Sequence, residues 1–446
     1  LPLNQAALLF HFCHQAFIFN LQISFTKKIS VFAHIRGNHT SKAKMNIQAS
    51  KLCLYFLALL LLASATACSA PSKPKISLVS DALLTSEDEK MLWQKSEQAQ
   101  RALESNGLIY ADPQLEDYLN QVVAKLTPAD LPSDLVIRAK VIKNPYLNAF
   151  AYPNGMIYIH SGLLARMENE AQLAAVLAHE MTHCIRRHAL RAFRKYKNQP
   201  ALLIAVQQTL LKTRGLRELA NSMGVTGAMV AISGYARELE SEADRVGFEW
   251  VLQVGYNPKE ALSLFDEMLA DIAQDGHEEP FFFGSHPKIQ QRAANLQNLP
   301  MPAIVETSVS NNHRKHFLAK LGQLFLDNAQ LDVRLGRFQP AKKSVEKFLT
   351  IKPDDTRAYF LLGEIYRQRG QHRDAHTALG YYSRAITLDP GFAAPHKAIG
   401  LIHYKKGQHA LAKKFFESCL QLSPDSPDKA YIKGYLKQCT LSEESS

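Results

Sequence analysis

At 446 residues the chain is long enough for two or three domains, each with its own core. Its 46% hydrophobic and 21% charged residues are those of a globular protein and exclude a disordered one. The formal net charge is +11, and the stretch from Arg314 to Thr440, with 22 Lys and Arg against 11 Asp and Glu, carries that same excess alone.

Residues 1–44 read as neither a folded element nor a targeting segment, and the expectation is that they lie upstream of a true start at Met45. Residues 45–68 then have the layout of a signal peptide. Lys51 supplies the positive charge, Leu52 to Ala63 is an apolar run too short to span a bilayer, and Ala65-Thr66-Ala67-Cys68 is a small-residue cleavage site. Cys68 leaves two readings open: a lipidated cysteine, although Ala65 stands where Leu is usual, or plain cleavage near Ala67. On the lipoprotein reading, Ser69 in place of Asp resembles outer-membrane retention. Both readings imply export.

A first folded body is expected over residues 76–299. Asp81 to Lys125 has helical periodicity, with Leu92, Trp93 and Leu103 followed by Leu115, Tyr118, Leu119 and Val122. Leu135 to Ile142 alternates as a strand, and Ala149–Tyr152 and Met156–Ile159 flank the turn Pro153-Asn154-Gly155.

Leu173 to Ile185 contains no Pro or Gly, and its apolar Leu173, Val176, Leu177 and Met181 fall at helical spacing. Within it stands His179-Glu180-Met181-Thr182-His183. Residues i and i+4 of a helix lie one above the other, so the two imidazoles can converge on one ion at about 2.0–2.1 Å. Glu180 sits beside the ion, where a general base takes a proton from the attacking water. The pentapeptide arises by chance in roughly a few per cent of chains of this composition, so a third ligand decides the matter. Ala189 occupies the position of a third His, with Arg186 where Gly should be, which rules out the H-x-x-G-x-x-H continuation. His188 is one residue off that register, and beside Arg186, Arg187 and Arg191 it reads as part of a solvated basic helix end. No Glu occurs between Glu180 and Glu218. The next candidate is Arg237 to Gly247, in which Glu240 and Asp244 are i and i+4. One carboxylate can bind the metal while the other supports a ligating His, and spacing alone does not exclude Glu242.

Here the sequence resembles the HtpX-like and CAAX-prenyl-protease-like gluzincins, in which H-E-x-x-H is followed at a distance by R-x-x-E-x-E-A-D. Arg237, Glu240, Glu242, Ala243 and Asp244 match that second motif. The resemblance implies Zn2+ held by His179, His183 and Glu240, with Glu180 as base and Asp244 in support; Glu238 and Glu242 are then solvated helix charges. Cys184 points off the ligand face and reads as a small core residue. Asn148 to Ile159 is similar to the family's N-A-F-A-x-P-x-G-x-I-x-V segment, which implies an edge strand beside the zinc helix that pairs with extended substrate.

Leu202–Leu211 and Met223–Ile232 are apolar but too short to span a bilayer, and read as a helical hairpin on the core or the membrane surface. Pro280 to Pro287 holds three consecutive Phe and then Ser285-His286-Pro287, with Arg292 beyond. That stretch resembles the family's T-H-P-x-x-x-x-R element, and the expectation is that His286 blocks the fourth zinc position at rest.

Residues 300–312, rich in Pro, Ser and Asn, read as a linker to a repeat domain over 313–440. Gly336, Gly370 and Gly407 lie 34 and 37 residues apart, the first being the tetratricopeptide period. The second spacing implies three extra residues in the middle repeat, expected around Ala378 to Tyr382. Three helix pairs then stack, with Tyr431 to Cys439 as a terminal helix. Cys419 and Cys439 lie on adjacent predicted helices, where an oxidising periplasm would allow a disulfide. The basic repeat surface suits acidic protein segments or anionic headgroups, and export argues against nucleic acid.

The expected fold is therefore mainly α with a small β-sheet: a gluzincin metallopeptidase domain followed by an α-solenoid. Export signal, zinc motifs and repeat tail together resemble the periplasmic beta-barrel assembly-enhancing proteases. The resemblance implies a zinc endopeptidase acting on unfolded or stalled outer-membrane proteins, with its repeats on the assembly machinery. The rival reading is a chaperone or scaffold whose zinc site is vestigial.

Overall fold

The computed structural model describes residues 81–197, 237–257, 259–275 and 311–444. The signal segment with Cys68, the apolar pair Leu202–Leu211 and Met223–Ile232, and His286 lie outside the described residues.

Two helices open the body, α1 (Asp81–Ser105) and α2 (Pro113–Leu126). Asp112 caps α2 by accepting from the Leu115 N–H at 3.0 Å, and Pro113 at the first position supplies a preset φ. Three strands follow: β1 (Arg138–Ile142), β2 (Ala149–Ala151) and β3 (Met156–His160). Their order is β1-β3-β2, with β1 parallel and β2 antiparallel to β3. The hairpin thus forms as its turn residues require: Gly155 has φ +93°, and a Cβ there would fall 2.3 Å from the Val136 carbonyl oxygen. The expected edge is corrected, however. β3 is the central strand, because β1 reaches back to cover its far side, and of the expected hairpin only β2 lies at an edge of the sheet.

The chain continues through α3 (Ser161–Arg166), α4 (Glu170–Ile185), α5 (His188–Lys197), α6 (Arg237–Gln253) and α7 (Lys259–Asp275). Beyond these come α8 (Asn311–Leu321), α9 (Leu324–Arg334), α10 (Phe338–Ile351), α11 (Thr356–Arg369), α12 (Asp374–Leu388), α13 (Ala393–Lys405), α14 (His409–Leu422) and α15 (Lys429–Glu444). Helices α9 to α14 form three antiparallel pairs, with α15 against the last. The three extra residues of the middle repeat are not where they were expected. After Gly336 and Gly407 the next helix begins two residues on, at Phe338 and His409, but after Gly370 it begins at Asp374. Helix α12 supplies the third, at 15 residues against 14 for α10 and α14. The turn at Arg373, whose φ is +69°, therefore absorbs most of the insertion.

One apolar core runs from the body into the repeats. Leu115, Ile157, Leu177 and Val246 share it with Phe317, Leu321, Phe325, Phe348 and Leu362. Smaller clusters serve the middle repeat and the terminal pair, and the latter buries Cys419 and Cys439 with no disulfide between them. Among the described residues no helix is long and apolar enough to cross a membrane.

His160, where β3 passes into α3, links this core to pH. Burial pushes its imidazole down to about 4, although its ring Nδ1 lies 3.2 Å from the Tyr146 carbonyl. Because the folded state excludes a proton that the unfolded chain binds at about 6.5, the contribution is complete above that pH. It is lost as pH falls through the window from about 6.5 to 4. Between pH 7 and 5 the loss should be about 2 kcal/mol. His160→Gln should flatten the dependence of the urea midpoint on pH; an unchanged slope would count against this account.

Candidate metal centre

The centre forms where α6 crosses α4. Asn169 starts α4 by accepting from the Gln172 N–H at 3.0 Å, and Gln172 reaches back to accept from the Glu168 N–H at 2.7 Å. On α6, Glu240, Ala243, Asp244 and Gly247 occupy i, i+3, i+4 and i+7, a single buried face. Gly247 permits the crossing. A Cβ there would lie 3.1 Å from the Ala178 carbonyl carbon and 3.1 Å from the His179 nitrogen, so any side chain would push Glu240 and Asp244 away from α4.

His179, His183 and Glu240 converge, with one donor atom of each within 4.8 Å of the others. The Nε2 atoms of the two His are 3.0 Å apart, Glu240 Oε1 is 3.4 Å from His183 Nε2, and Glu240 Oε2 is 3.6 Å from His179 Nε2. A tetrahedral ion with bonds of about 2.0–2.1 Å has ligand–ligand edges of about 3.3–3.4 Å, so this donor set fits Zn2+ in both type and spacing. Glu180, Glu240 and Asp244 are all buried here, a concentration of carboxylates that a divalent cation suits.

Asp244 Oδ1 lies 2.9 Å from His179 Nδ1. The ring N–H donates to that carboxylate, which leaves the Nε2 lone pair for a metal. Cys184 is buried as expected, its thiol facing the Tyr152 carbonyl at 3.4 Å, and burial pushes its pKa up.

One residue was misread from sequence. His188 is not on a solvated helix end but wholly buried, its Nδ1 2.9 Å from His183 Nδ1 and its Nε2 3.5 Å from Glu242 Oε2. Burial pushes its imidazole down to about 4. Glu242, read as a solvated charge, is half-buried and accepts from Arg191 Nη1 at 2.8 Å. Burial opposes the charge on Glu242, but the Arg191 guanidinium holds its carboxyl below the usual range.

Paired imidazoles on one helix, a carboxylate from a second, and a helical body that runs into stacked helix pairs define the class: a gluzincin fold carrying a tetratricopeptide solenoid. Residues 111–299 match Peptidase family M48 and residues 398–426 match the tetratricopeptide repeat. It is similar to the beta-barrel assembly-enhancing protease of Escherichia coli O157:H7, 28% identical over 237 residues that cover 51% of this chain and 47% of that one. The Yersinia pestis protein of the same name is 30% identical over 197 residues, covering 43% and 40%. The mitochondrial metalloendopeptidase OMA1 of Schizosaccharomyces pombe is 26% identical over 194 residues, covering 44% and 56%. The chain spans about half the length of the curated relatives it matches.

Proposed function

We propose that this chain is an exported zinc endopeptidase that acts in the quality control and assembly of outer-membrane proteins. The observation that carries the reading is the buried cluster of His179, His183 and Glu240, whose donor atoms all lie within 4.8 Å of one another. When bound, Zn2+ would supply Lewis acidity for the water and the scissile carbonyl. Glu180, one residue along α4, takes the water proton and returns it to the leaving amine. Asp244 holds the His179 ring, and the β2 main chain pairs with an extended peptide. His286 closes the site at rest. The repeats hold clients or the assembly machinery, for which their basic surface favours acidic segments. Residues 76–299 then form the catalytic unit and 313–440 the repeat unit, with export directed by residues 45–68 and anchoring, where it occurs, through Cys68.

Support comes from the M48 match, from relatives named as barrel-assembly proteases and metalloendopeptidases, and from the geometry. The test is purified protein with an unfolded outer-membrane β-barrel as substrate. Fragments should appear in proportion to bound zinc, disappear on chelation and return when zinc is restored. Cleavage that survives complete metal removal would overturn the reading.

A further inference from the structure

We propose that His188 is a positioning residue that sets the tautomer and orientation of the zinc ligand His183, and that Glu242 holds His188 in turn. The inference rests on the metal-site reading above and concerns the side of that site which Asp244 does not reach.

The two ligating imidazoles are supported in different ways. His179 has a carboxylate on its far nitrogen, with Asp244 at 2.9 Å. His183 has another imidazole, with His188 Nδ1 at 2.9 Å from its Nδ1 and the two rings edge-to-face, 81° apart. For His183 to present the Nε2 lone pair toward His179 and Glu240, its Nδ1 must carry the hydrogen, and His188 Nδ1 must accept it. That assignment puts the His188 hydrogen on Nε2, facing Glu242 Oε2 at 3.5 Å. Glu242 is fixed by Arg191 at 2.8 Å. The result is a chain of contacts in which the His183 Nδ1–H donates to His188, the His188 Nε2–H faces Glu242, and Arg191 donates to Glu242.

The backbone is bent to place His188 there. Helix α4 ends at Ile185, and Arg187 takes φ +52°, a left-handed conformation unfavourable for a residue with a Cβ. His188 then opens α5 pointing back at α4, whereas a straight continuation would carry it around the axis and away. The bend is held from outside: Arg187 Nε lies 2.7 Å from Glu89 on α1, and Arg194 on α5 lies 3.5 Å from Asp88. A turn maintained by side chains from a distant helix, delivering a fully buried ring onto one ligand nitrogen, has the construction of a ligand support.

The experiment compares His188→Phe, which keeps a ring but removes the acceptor, with His188→Gln, whose carbonyl oxygen can accept from His183. Zinc affinity is read by chelator competition on the full chain, beside the thermal midpoint of the metal-free form. His188→Phe should bind zinc about 10–100-fold more weakly, while His188→Gln stays near wild type, with similar metal-free midpoints. Wild-type affinity in His188→Phe, or equal loss in both variants, would overturn the role of His188. If the phenyl ring prevents folding, His188→Leu serves as the acceptor-free variant, read the same way. Wild-type protein that takes up no stoichiometric zinc would instead overturn the metal site itself, and the inference with it.

Discussion

Glu180→Gln should retain stoichiometric zinc while losing about 10²–10⁴-fold in peptide cleavage. Glu180 lies on the ligand helix between His179 and His183 and is buried, yet it is not one of the three residues whose donor atoms converge. The substitution keeps shape and hydrogen-bonding capacity and removes only the ability to take a proton. The expected loss corresponds to about 3–5 kcal/mol of transition-state stabilisation, with none of it drawn from metal binding. Glu240→Ala should behave differently, since it removes a donor and so weakens zinc binding itself. The pair of variants therefore separates base from ligand. Glu180→Gln also separates the endopeptidase from the scaffold reading, because a protein that works through its repeats alone would complement a deletion strain unchanged when Glu180 is replaced. Metal content together with casein cleavage decides: undiminished proteolysis by the variant excludes Glu180 as the base.

The cluster of His179, His183, Glu240 and Asp244 was legible because each piece of it is local. His179 and His183 are one helical turn apart, Glu240 and Asp244 likewise, and periodicity alone places each pair on one face. Which carboxylate binds and which supports was not local, and it came from family likeness. His188 was misread for a definite reason. Left-handed backbone is usually announced by Gly or Asn, and Arg186-Arg187 announces nothing, so the helix was extended past its end. The sheet shows the same limit. Alternation found the first strand and a turn signal the other two, but nothing within a strand says that β3 lies between the others, since the parallel β1 pairing spans the intervening hairpin. The repeats were legible through the glycine period, while their insertion was misplaced because a turn of variable length leaves no periodic mark. The charges at the junction of body and repeats were the least legible of all. Arg166, Asp332, Arg337 and Lys347 have no local pattern that separates them from solvated surface, and burial comes only from partners far along the chain.

That junction carries the second large effect: Asp332→Ala should cost about 3–5 kcal/mol of folding free energy. Asp332, on α9, is fully buried, with Oδ2 3.7 Å from Arg166 Nη1 and Oδ1 3.5 Å from Arg337 Nε. It also accepts from Asn328 Nδ2 at 3.0 Å, and Asn328 Oδ1 in turn accepts from Ser161 Oγ at 2.8 Å, at the start of α3. Removing the carboxylate leaves two guanidiniums in a low-dielectric junction without their shared counter-charge, and that cost is far larger than the worth of an exposed pair. The surrounding contacts point the same way. Lys347 on α10 donates to the carbonyls of Ala165, Arg166 and Met167 where α3 ends, and lies 2.7 Å from Glu168. Burial pulls its ammonium below the usual range, with Glu168 opposing. The first repeat is thus part of the foundation of the body, and a chain cut before α8 would lose Phe317, Leu321 and Phe325 and expose the body residues they cover, Tyr118 among them. Asp354→Ala is the control, because that side chain is 73% exposed and its pair with Arg384 should contribute less than about 1 kcal/mol. If urea denaturation gives the two variants the same midpoint, the buried charges at the junction do not hold the repeats to the body, and the continuous apolar core must do so without them.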